Sequence, residues 1–376
     1  MDVFEAARNN FPHTKRMIYL EHAAIAPLSR PVVNAIQSFL EDRHKGRVQF
    51  DEDMIGMLGE VREKIATLIH AKPEEIALIP NTSTGLNIVA EGLPLQTGDR
   101  ILVPNVEFPS NVYPYLNLEK KGIVVDFFSP RQGRVTLPDI RAHIRPQTKL
   151  LALSFVQFTN GFRADLEKIG TWCKKQGIWF AVDGIQGVGA LPIDVRHMSI
   201  DFLAVGGHKW LMAPVGTGFL YIRPEWLHLL DPPFTGWLSV KNPWDLLEYQ
   251  LDFLDTAQRF EIASQNFLGF RGLLASLNFL LSIGSEIIEE RILSLTDYLV
   301  KGLERIGATV FSPRENGEKS GIVTFSLLPD NLQLHRELRK RHIFLSYRLK
   351  NLRASPHFYN NFKDLDTLLS TLEELV

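Results

Sequence analysis

The sequence predicts an α/β fold, with a mainly parallel sheet of seven strands covered by helices and a small α+β domain at the C-terminal end. Seven short apolar runs lie between residues 77 and 222, and several are apolar at consecutive positions, as in strands covered on both faces. Helical patterns alternate with these runs, which favours parallel strands joined by crossover helices. After about Phe270 the pattern changes to long helices and short strands.

The elements of the large domain follow in chain order. From Met54 to Leu68 an apolar residue recurs every three or four positions, which predicts one buried face of a helix. The segment Asp165–Gln176, between two apolar runs, is predicted to be another helix. The predicted strands are Ala77–Ile79, Ile101–Val103, Ile123–Phe128, Leu150–Val156, Ile178–Val182, Phe202–Val205 and Gly218–Ile222.

The C-terminal part predicts a smaller domain. We expect a large domain over residues 16–280 and a small domain over residues 281–376, and we assign the N-terminal arm of residues 1–15 to the small domain. The stretch Asp231–Asn242, rich in proline, glycine and polar residues, predicts a loop at the surface or at a subunit contact. The expected elements of the small domain are helices at Leu273–Ile287, Glu289–Ile306 and from about Phe362, and strands at Thr309–Phe311, Ile322–Ser326 and Ile343–Leu345.

Composition and charge narrow the function classes. The 376 residues carry 41 Lys+Arg and 43 Asp+Glu, a net charge of −2, so the overall charge predicts neither a nucleic-acid partner nor an anionic membrane. The N-terminus lacks the apolar core of a secretory signal, and no run has the length of a spanning helix. The single cysteine, Cys173, excludes an internal disulfide and a cysteine-rich metal site. We expect a cytoplasmic protein without a metal.

Candidate catalytic residues lie where the apolar runs end. Asp183, the pair His208–Lys209 and the pair Thr82–Ser83 each follow a predicted strand directly or within a few residues. Each alone is equally typical of a helix cap or a solvated charge. In doubly wound sheets, however, ligands bind beyond the carboxyl ends of the strands, so we expect these side chains to meet at one site.

This set of side chains matches the needs of pyridoxal phosphate (PLP). A lysine amine forms a Schiff base with the aldehyde of the cofactor. A carboxylate keeps the pyridine nitrogen protonated, so that the ring accepts electrons. The phosphate binds N–H groups and hydroxyls at a helix N-terminus. Lys209, Asp183 and Thr82–Ser83 would supply these groups in turn.

The chain also resembles a known family, the class V aminotransferases of the fold-type I PLP-dependent enzymes. That group includes cysteine desulfurases, isopenicillin N epimerase and kynureninase. The resemblance extends over nearly the whole chain, and its segments occur in the order of the family. They are YLEHAAIAPL, NTSTGLNIVAEG, VEFPSNVYP, AVDGIQGVGALPIDV, DFLAVGGHKWLMAPVGTGFLYI, RFEIASQN and LRASPHFYN.

The resemblance implies roles for the residues at the cofactor. Lys209 is expected to form the Schiff base and to move the Cα proton, and Asp183 to pair with the pyridine nitrogen. Gln186 is expected to bond the ring hydroxyl oxygen. Thr82 and Ser83, helped by His208, are expected to bind the phosphate.

The resemblance further implies a homodimer with shared sites, in which Ser264 reaches the phosphate site of the other subunit. It implies that Arg353 binds the substrate carboxylate, a bidentate task that suits a guanidinium group. Three further residues are weaker candidates for the substrate site. Arg348 is either a second anion contact for the substrate side chain or a solvated charge, Gln157 could touch cofactor or substrate, and His22 could border the substrate pocket.

The chain departs from the desulfurase branch at three places. Phe108 stands where that branch stacks a histidine on the ring, and phenylalanine stacks without transferring protons. Gly206 stands where the branch has a serine that binds the phosphate. The segment RHIFLSYRLKN at residues 341–351 has no cysteine, although a desulfurase needs a thiol there. Cys173 lies in a predicted helix instead, so the residues argue against persulfide formation.

The resemblance therefore implies a PLP-dependent enzyme acting on an amino acid, with transamination ranked first on the family name. An epimerase, or a cysteine or cystine C–S lyase that needs no catalytic cysteine, remains an alternative. A PLP-binding sensor or scaffold without turnover is the alternative outside enzymes. Fold and cofactor do not choose among these reactions.

Overall fold

The computed structural model describes residues 3–376, apart from the side chains of residues 51 and 52. Its helices are α1 Val3–Arg8, α2 Arg30–His44, α3 Gly56–Ile69, α4 Thr82–Gly92, α5 Tyr113–Leu116, α6 Leu137–His143, α7 Leu166–Gln176, α8 Phe267–Ile283, α9 Ser285–Arg305, α10 Leu332–Lys340 and α11 Phe362–Leu375. Its strands are β1 Ile18–Tyr19, β2 Ile76–Ile79, β3 Arg100–Pro104, β4 Val124–Phe128, β5 Thr148–Ser154, β6 Trp179–Asp183, β7 Phe202–Gly206, β8 Gly218–Ile222, β9 Thr309–Val310, β10 Val323–Ser326, β11 Ile343–Phe344, β12 Ser346–Arg348 and β13 Asn351–Ala354.

The main sheet has seven strands within residues 3–376, in the order β2-β8-β7-β6-β5-β3-β4. Strand β8 runs antiparallel to β2 and β7, and the other pairs are parallel. The predicted α/β fold with a mainly parallel sheet is confirmed. It is the fold-type I architecture.

Strand β5 shows why consecutive residues of these strands are apolar. Leu151 and Leu153 belong to the apolar cluster on one face of the sheet, whereas Leu150 and Ala152 belong to the cluster on the other face. Helices cover both faces, so no strand position of this kind meets water. The inner strands of the sheet are therefore apolar along their length, and the acidic residue Asp183 stands at the end of β6.

Helix boundaries follow from local caps. The carboxylate of Asp165 accepts a hydrogen bond from the backbone N–H of Lys168 at the start of α7, and Gly177 ends that helix with a φ of 66°. The predicted helix over residues 165–176 is therefore confirmed. Helix α8 begins earlier than predicted because the side chain of Asn266 caps it, and Gly284, with a φ of 98°, separates it from α9.

The small sheet is antiparallel, in the order β12-β13-β10-β9, and α9 and α11 pack on it, as an α+β domain requires. The expected strand at residues 343–345 is shorter and does not join this sheet. It forms β11, which pairs in parallel with β1, so Ile18 and Tyr19 attach to the C-terminal part of the chain. The first two residues of the predicted N-terminal arm lie outside the described residues. The division at residue 280 stays a prediction.

The predicted loop over residues 231–242 contains no helix or strand in the part of the chain that the structure describes. Several apolar side chains beyond it are exposed, among them Trp244, Leu247 and Tyr249. No single described helix is long and apolar enough to cross a membrane. The pair α8 and α9, bent by 80°, meets the criterion by length and composition alone.

Candidate active site

A cavity of about 290 Å³ opens where β6 and β7 end, and it extends to the hairpin of β12 and β13. It brings together nine of the residues that the sequence singled out, which are Thr82, Ser83, Phe108, Asp183, Gln186, His208, Lys209, Arg348 and Arg353. This placement follows from the strand-end rule for parallel sheets.

Asp183 and Lys209 lie at the ends of neighbouring strands. One carboxylate oxygen of Asp183 accepts a hydrogen bond of 3.0 Å from the backbone N–H of Ile185. Burial raises the pKa of Asp183, and Lys209 opposes this rise. Burial lowers the pKa of Lys209, Asp183 raises it, and the guanidinium groups of Arg353 and Arg348 lower it further. A lysine of this kind is partly neutral near neutral pH, as a nucleophilic amine must be.

Thr82 opens helix α4 at the floor of the cavity. Asn81 caps the helix by accepting a hydrogen bond of 2.9 Å from the backbone N–H of Thr84. The Oγ1 atom of Thr82 is buried and has no partner among the described residues, and the Oγ atom of Ser83 donates to Ser110. Free N–H groups at a helix N-terminus and an unpaired hydroxyl fit a phosphate group.

Gly206 explains one departure from the desulfurase pattern. A Cβ atom at this position would lie 3.2 Å from Oγ1 of Thr82 and 3.1 Å from the side chain of Ile185. A larger residue would therefore crowd the hydroxyl that faces the phosphate site. We therefore expect Thr82 and Ser83 to bind the phosphate group of the cofactor, without a serine at residue 206.

Arg353 lies on β13 with only 2% of its surface exposed. Its Nη1 atom donates a hydrogen bond of 2.7 Å to the carbonyl of Phe158, and its Nε atom has no partner among the described residues. Burial and, to a smaller extent, the neighbouring charge of Arg348 lower the pKa of Arg353 to about 10, although Glu21 opposes the shift. None of the described carboxylates forms an ion pair with it. A buried guanidinium without an anion is costly unless a ligand supplies one.

Arg348 lies on the same hairpin, at the end of β12, and also lines the cavity. The hairpin turns through Leu349 and Lys350, which have φ angles of 48° and 68°. Both are left-handed, the arrangement of a type I′ turn, although neither residue is glycine or asparagine. The turn is thus as short as a hairpin allows.

Phe108 also lines the cavity. Its ring centre is 5.7 Å from Nζ of Lys209, and it packs edge-on against the ring of Phe158 at 5.2 Å. The ring is 44% exposed, which leaves a face open towards the cavity. This is the placement that stacking on a flat ligand requires.

Gln186 lies between the cavity and the core. Its Nε2 atom donates to the carbonyl of Ala23 at 3.0 Å, and its Oε1 atom accepts from the indole N–H of Trp210 at 3.0 Å. These two bonds fix the orientation of the amide. The second N–H of Nε2 is the group that could meet a ring hydroxyl oxygen, so the role of Gln186 stays a prediction.

His22 does not border the cavity, contrary to expectation. It is completely buried, with Nδ1 bonded to the carbonyl of Ser355 at 2.8 Å and Nε2 to the hydroxyl of Tyr359 at 2.7 Å. Ala23 and Ala24 line the cavity in its place. The chain turns immediately after His22, which points this ring into the core.

Gln157 and Ser264 also lie outside the cavity lining. Gln157 is buried, donates to Glu107, and has no described partner for its Oε1 atom. Ser264 lines a separate cavity of about 380 Å³, beside Thr84 and Gly216. Within one chain Ser264 does not reach the phosphate site. A role there needs a second subunit.

Glu107 is a residue that the sequence did not single out. It precedes Phe108, is buried, and accepts hydrogen bonds from Ser154, Gln157 and Asn111. An acid within an otherwise apolar strand-to-loop segment was the available signal. Its partners follow four to 50 residues later in the sequence, so spacing alone could not reveal them.

Cys173 lies in α7, completely buried in the core of the large domain, and burial raises the pKa of its thiol. It contributes nothing to the lining of the cavity. Among the described side chains, no group of three or more His, Cys, Asp or Glu residues could hold a metal ion.

Comparisons with known proteins agree with this site. The family model described as aminotransferase class-V matches residues 18–368. A probable cysteine desulfurase of Pyrococcus abyssi is 31% identical over 100% of this chain and 98% of its own.

Solved structures give the same result. The apo structure of a cysteine desulfurase from Thermococcus onnurineus NA1 has a TM-score of 0.92 and 29% identity, covering 100% of this chain and 98% of its own. The cysteine desulfurase CsdA from Escherichia coli has a TM-score of 0.87 and 27% identity, with the same coverage. The similarity thus extends over whole chains and not over the sheet alone.

Proposed function

Since this chain belongs to the aminotransferase class-V family, whose members use PLP, we propose that it acts on an amino acid that carries a second acidic group. One observation supports this proposal above the others. Arg353 and Arg348 line the same cavity as Lys209, and the buried guanidinium of Arg353 has no carboxylate partner among the described residues. Two cations at the substrate end call for two anions.

The residues present fit PLP. Lys209 would hold the aldehyde carbon, Asp183 the ring nitrogen, Phe108 the ring face, and Thr82 with Ser83 the phosphate, where the unpaired Oγ1 of Thr82 is buried. When bound, the cofactor supplies an electron sink for the charge that develops at Cα. Lys209 then moves the Cα proton, because burial lowers its pKa into a useful range.

The substrate end orients the amino acid. Arg353 would bind the α-carboxylate through its unpaired Nε and a second N–H of an Nη group, since Nη1 and Nη2 each use only one N–H on Phe158 and Ser346. Arg348 would bind the second acidic group from the hairpin turn. The buried Oε1 of Gln157 is a further acceptor near this end, and its contact with cofactor or substrate remains part of the proposal.

We favour cleavage of a C–S bond by β-elimination. The relatives named cysteine desulfurases support a sulfur-containing substrate. In this reaction the Cα proton leaves, the bond between Cβ and sulfur breaks, and sulfur departs with the electron pair and takes up a proton. Hydrolysis of the remaining enamine releases pyruvate and ammonia. Cystine, with its two carboxylates, matches the two arginines.

The names of the relatives do not support our expectation that this chain forms no persulfide. That expectation rests on Cys173 alone, which lies buried in α7 rather than at the cavity. A desulfurase reaction would need this thiol to reach the substrate. We therefore keep the absence of a thiol relay as a proposal, to be tested by the products.

Amino-group transfer is the second candidate. The description of the matching family supports it, and the same residues would serve it up to the point where the Cα proton has left. Reprotonation at the cofactor carbon, rather than loss of a sulfur group, would then follow.

Product analysis separates these reactions. The PLP-loaded protein is incubated with cystine, cysteine or cysteine sulfinate, with and without a 2-oxo acid. Pyruvate and ammonia without added 2-oxo acid support the lyase. Formation of alanine, together with sulfur from labelled substrate on the thiol of Cys173, would overturn the lyase in favour of a desulfurase. In Cys173→Ser both signals should then disappear. A new amino acid that appears only with a 2-oxo acid supports the second candidate, and racemised substrate would indicate an epimerase.

The homodimer is a further part of the proposal. Ser264 lies away from the phosphate site of its own chain, and the exposed side chains of Phe234, Trp244, Leu247 and Tyr249 lie in the same region of sequence. A twofold partner would cover such side chains. Light scattering should give twice the chain mass, and Ser264→Ala should weaken PLP binding without changing that mass. A monomeric active enzyme would contradict both. The cytoplasmic location likewise remains a proposal.

A further inference from the structure

Glu107 carries a buried carboxylate that the proposed reaction leaves without a role. Its Oε1 atom accepts hydrogen bonds from the backbone N–H of Ser154 at 2.9 Å and from Nε2 of Gln157 at 2.6 Å. Its Oε2 atom accepts from Nδ2 of Asn111 at 3.0 Å and from the hydroxyl of Ser154. Two donors on each oxygen match the acceptor sites of an ionised carboxylate, and three of the four groups can only donate.

Within the described part of the chain, no cationic side chain pairs with this carboxylate. None of the described ion pairs includes Glu107, and all of its donors are neutral. Burying the ionised carboxylate costs solvation free energy, and hydrogen bonds from neutral donors offset this cost only in part. An uncompensated buried charge of this kind is more typical of a functional position than of a structural one.

The charge lies next to the residue that faces the ring nitrogen. Ser154, which donates twice to Glu107, is the direct neighbour of Asp183 in the pairing of β5 with β6. Glu107 lies in the loop after β3, and β5 separates β3 from β6, so Ser154 at the end of β5 is the residue that links the two acids. Glu107 also precedes Phe108, so the same short segment carries the expected ring-stacking side chain and the buried charge.

We propose that Glu107 is a positioning residue of the cofactor site, whose ionised carboxylate supplies a second negative charge beside Asp183 and thereby holds the proton on the ring nitrogen more firmly. The inference rests on the cofactor and not on the reaction proposed above. A chain that failed every substrate assay could still show the effect.

The neighbouring titratable groups are consistent with this arrangement. Glu107 raises the pKa of Asp183, after burial, while Lys209 lowers it. The buried hydroxyl of Tyr115 lies near both acids, and its pKa is raised by burial, by Asp183 and by Glu107. Burial raises the pKa of Glu107 itself, and its hydrogen bonds oppose this rise. Of these groups only Lys209 contributes a positive charge.

The decisive experiment compares two cofactors on two variants. The chain freed of cofactor is titrated with PLP and with its 1-deaza analogue, in which a C–H group replaces the ring nitrogen. Glu107→Gln removes the charge and keeps the shape. Ser154→Ala is the matched control, because it removes one donor and keeps the charge.

We expect Glu107→Gln to weaken PLP binding by roughly tenfold and to leave the affinity for the 1-deaza analogue within about twofold, because only a protonated ring nitrogen senses the charge. Ser154→Ala should change both affinities by the same small factor. An equal loss of both affinities in Glu107→Gln would show a purely structural role and overturn the proposal. No loss of either would do the same.

A second measurement does not depend on the variant folding. Nitrogen-15 NMR of labelled PLP bound to the unaltered chain reports the proton on the ring nitrogen directly. We expect that nitrogen to stay protonated from about pH 6 to about pH 9, because a nearby negative charge favours the protonated form and two acidic side chains lie at this end of the site. Loss of the proton within that interval would contradict the proposal.

Discussion

The two ends of the cavity are built in different ways. At the cofactor end, Asp183 and Lys209 stand at the ends of strands that lie inside the seven-stranded sheet, with neighbours on both sides. At the substrate end, Arg348 and Arg353 stand on a hairpin at the edge of the small sheet. The first end is held by two apolar layers. At the second, Arg353 is buried on a strand paired on both sides, whereas Arg348 is exposed beside a two-residue turn.

This difference indicates which positions can be substituted without loss of the fold. Moving Asp183 or Lys209 would require moving buried strands, which close packing resists. The hairpin can change its length or its side chains at little cost to the fold. We therefore expect the cofactor end to vary less among related chains than the turn of the hairpin, where we propose that the second acidic group of the substrate binds.

The largest effect is expected at the cofactor end. Lys209→Ala should lower turnover by about 10⁴-fold or more, because the group that moves the Cα proton is lost. Steady-state kinetics and circular dichroism measure this change, and the fold should be retained. Lys168→Ala, at an exposed lysine of α7, is the control and should behave as the unaltered chain. Unchanged turnover in Lys209→Ala would remove this lysine from the mechanism and favour the sensor or scaffold alternative.

The next effect is expected at Arg353. Arg353→Gln should raise KM by roughly 100-fold with a smaller change in kcat, because a buried charge-assisted contact with the substrate is lost. The same variant should stabilise the cofactor-free chain by about 1 kcal/mol in urea unfolding, since a buried guanidinium without a described carboxylate partner is removed. A fall in kcat with KM unchanged would argue against a binding role.

Three histidines, His13, His22 and His357, form what we call the histidine layer, which connects the two ends. His357 bonds the carbonyl of Trp210, the residue after Lys209, and His22 bonds the carbonyl of Ser355, two residues beyond Arg353. Burial lowers the pKa of all three rings. The layer is therefore neutral at pH 7.

Acid should weaken the fold through this layer. The pKa of His357 is lowered to about 4 in the fold, against 6.5 for an unperturbed histidine. The unfolded chain therefore binds more protons than the folded chain between these two values. The contribution of His357 should be complete above about pH 6.5 and should fall as the pH drops towards 4.

The contribution of His357 alone is at most about 3 kcal/mol. Urea unfolding between about pH 7 and about pH 4.5 measures it, because this interval covers most of the titration. His357→Gln should be less stable at neutral pH but should lose less on acidification. The exposed His143→Gln serves as the control and should keep the slope of the unaltered chain. An identical slope in His357→Gln would show that other groups cause the acid loss.

The smallest effect on kinetics is expected at Arg348. Arg348→Gln should raise KM about tenfold for cystine and leave it unchanged for S-methylcysteine, which has one acidic group only, because an exposed charge pair is worth little more than that. Arg341→Gln, at an exposed arginine paired with Glu374, is the control. Equal changes for both substrates would mean that Arg348 does not bind the second acidic group.

The cofactor end could be predicted from sequence because its signals are local. Apolar runs marked the strands, and the residues after them were placed by the strand-end rule, so Asp183, Lys209 and Thr82 meet as expected. The family motifs carry the same residues. Contacts between distant segments could not be predicted in this way.

His22, Glu107 and β11 illustrate the limit. His22 lies one position before the cavity lining, and only the turn of the chain decides that its ring points inward. Glu107 meets Ser154 and Gln157 about 50 residues away. Strand β11 has two residues and pairs with β1 more than 300 positions earlier, and so short a strand has no periodicity to detect.

The turn at Leu349 and Lys350 has an evolutionary consequence. Two bulky residues in left-handed conformations cost roughly 1–2 kcal/mol each, which a longer loop would relieve. Leu349 is 75% exposed, so added residues would extend into solvent rather than into the core. A short insertion there could place a cysteine above the cavity without disturbing the sheet. Gain and loss of a thiol-dependent reaction on this scaffold would then be separated by a few codons, with the cofactor end unchanged.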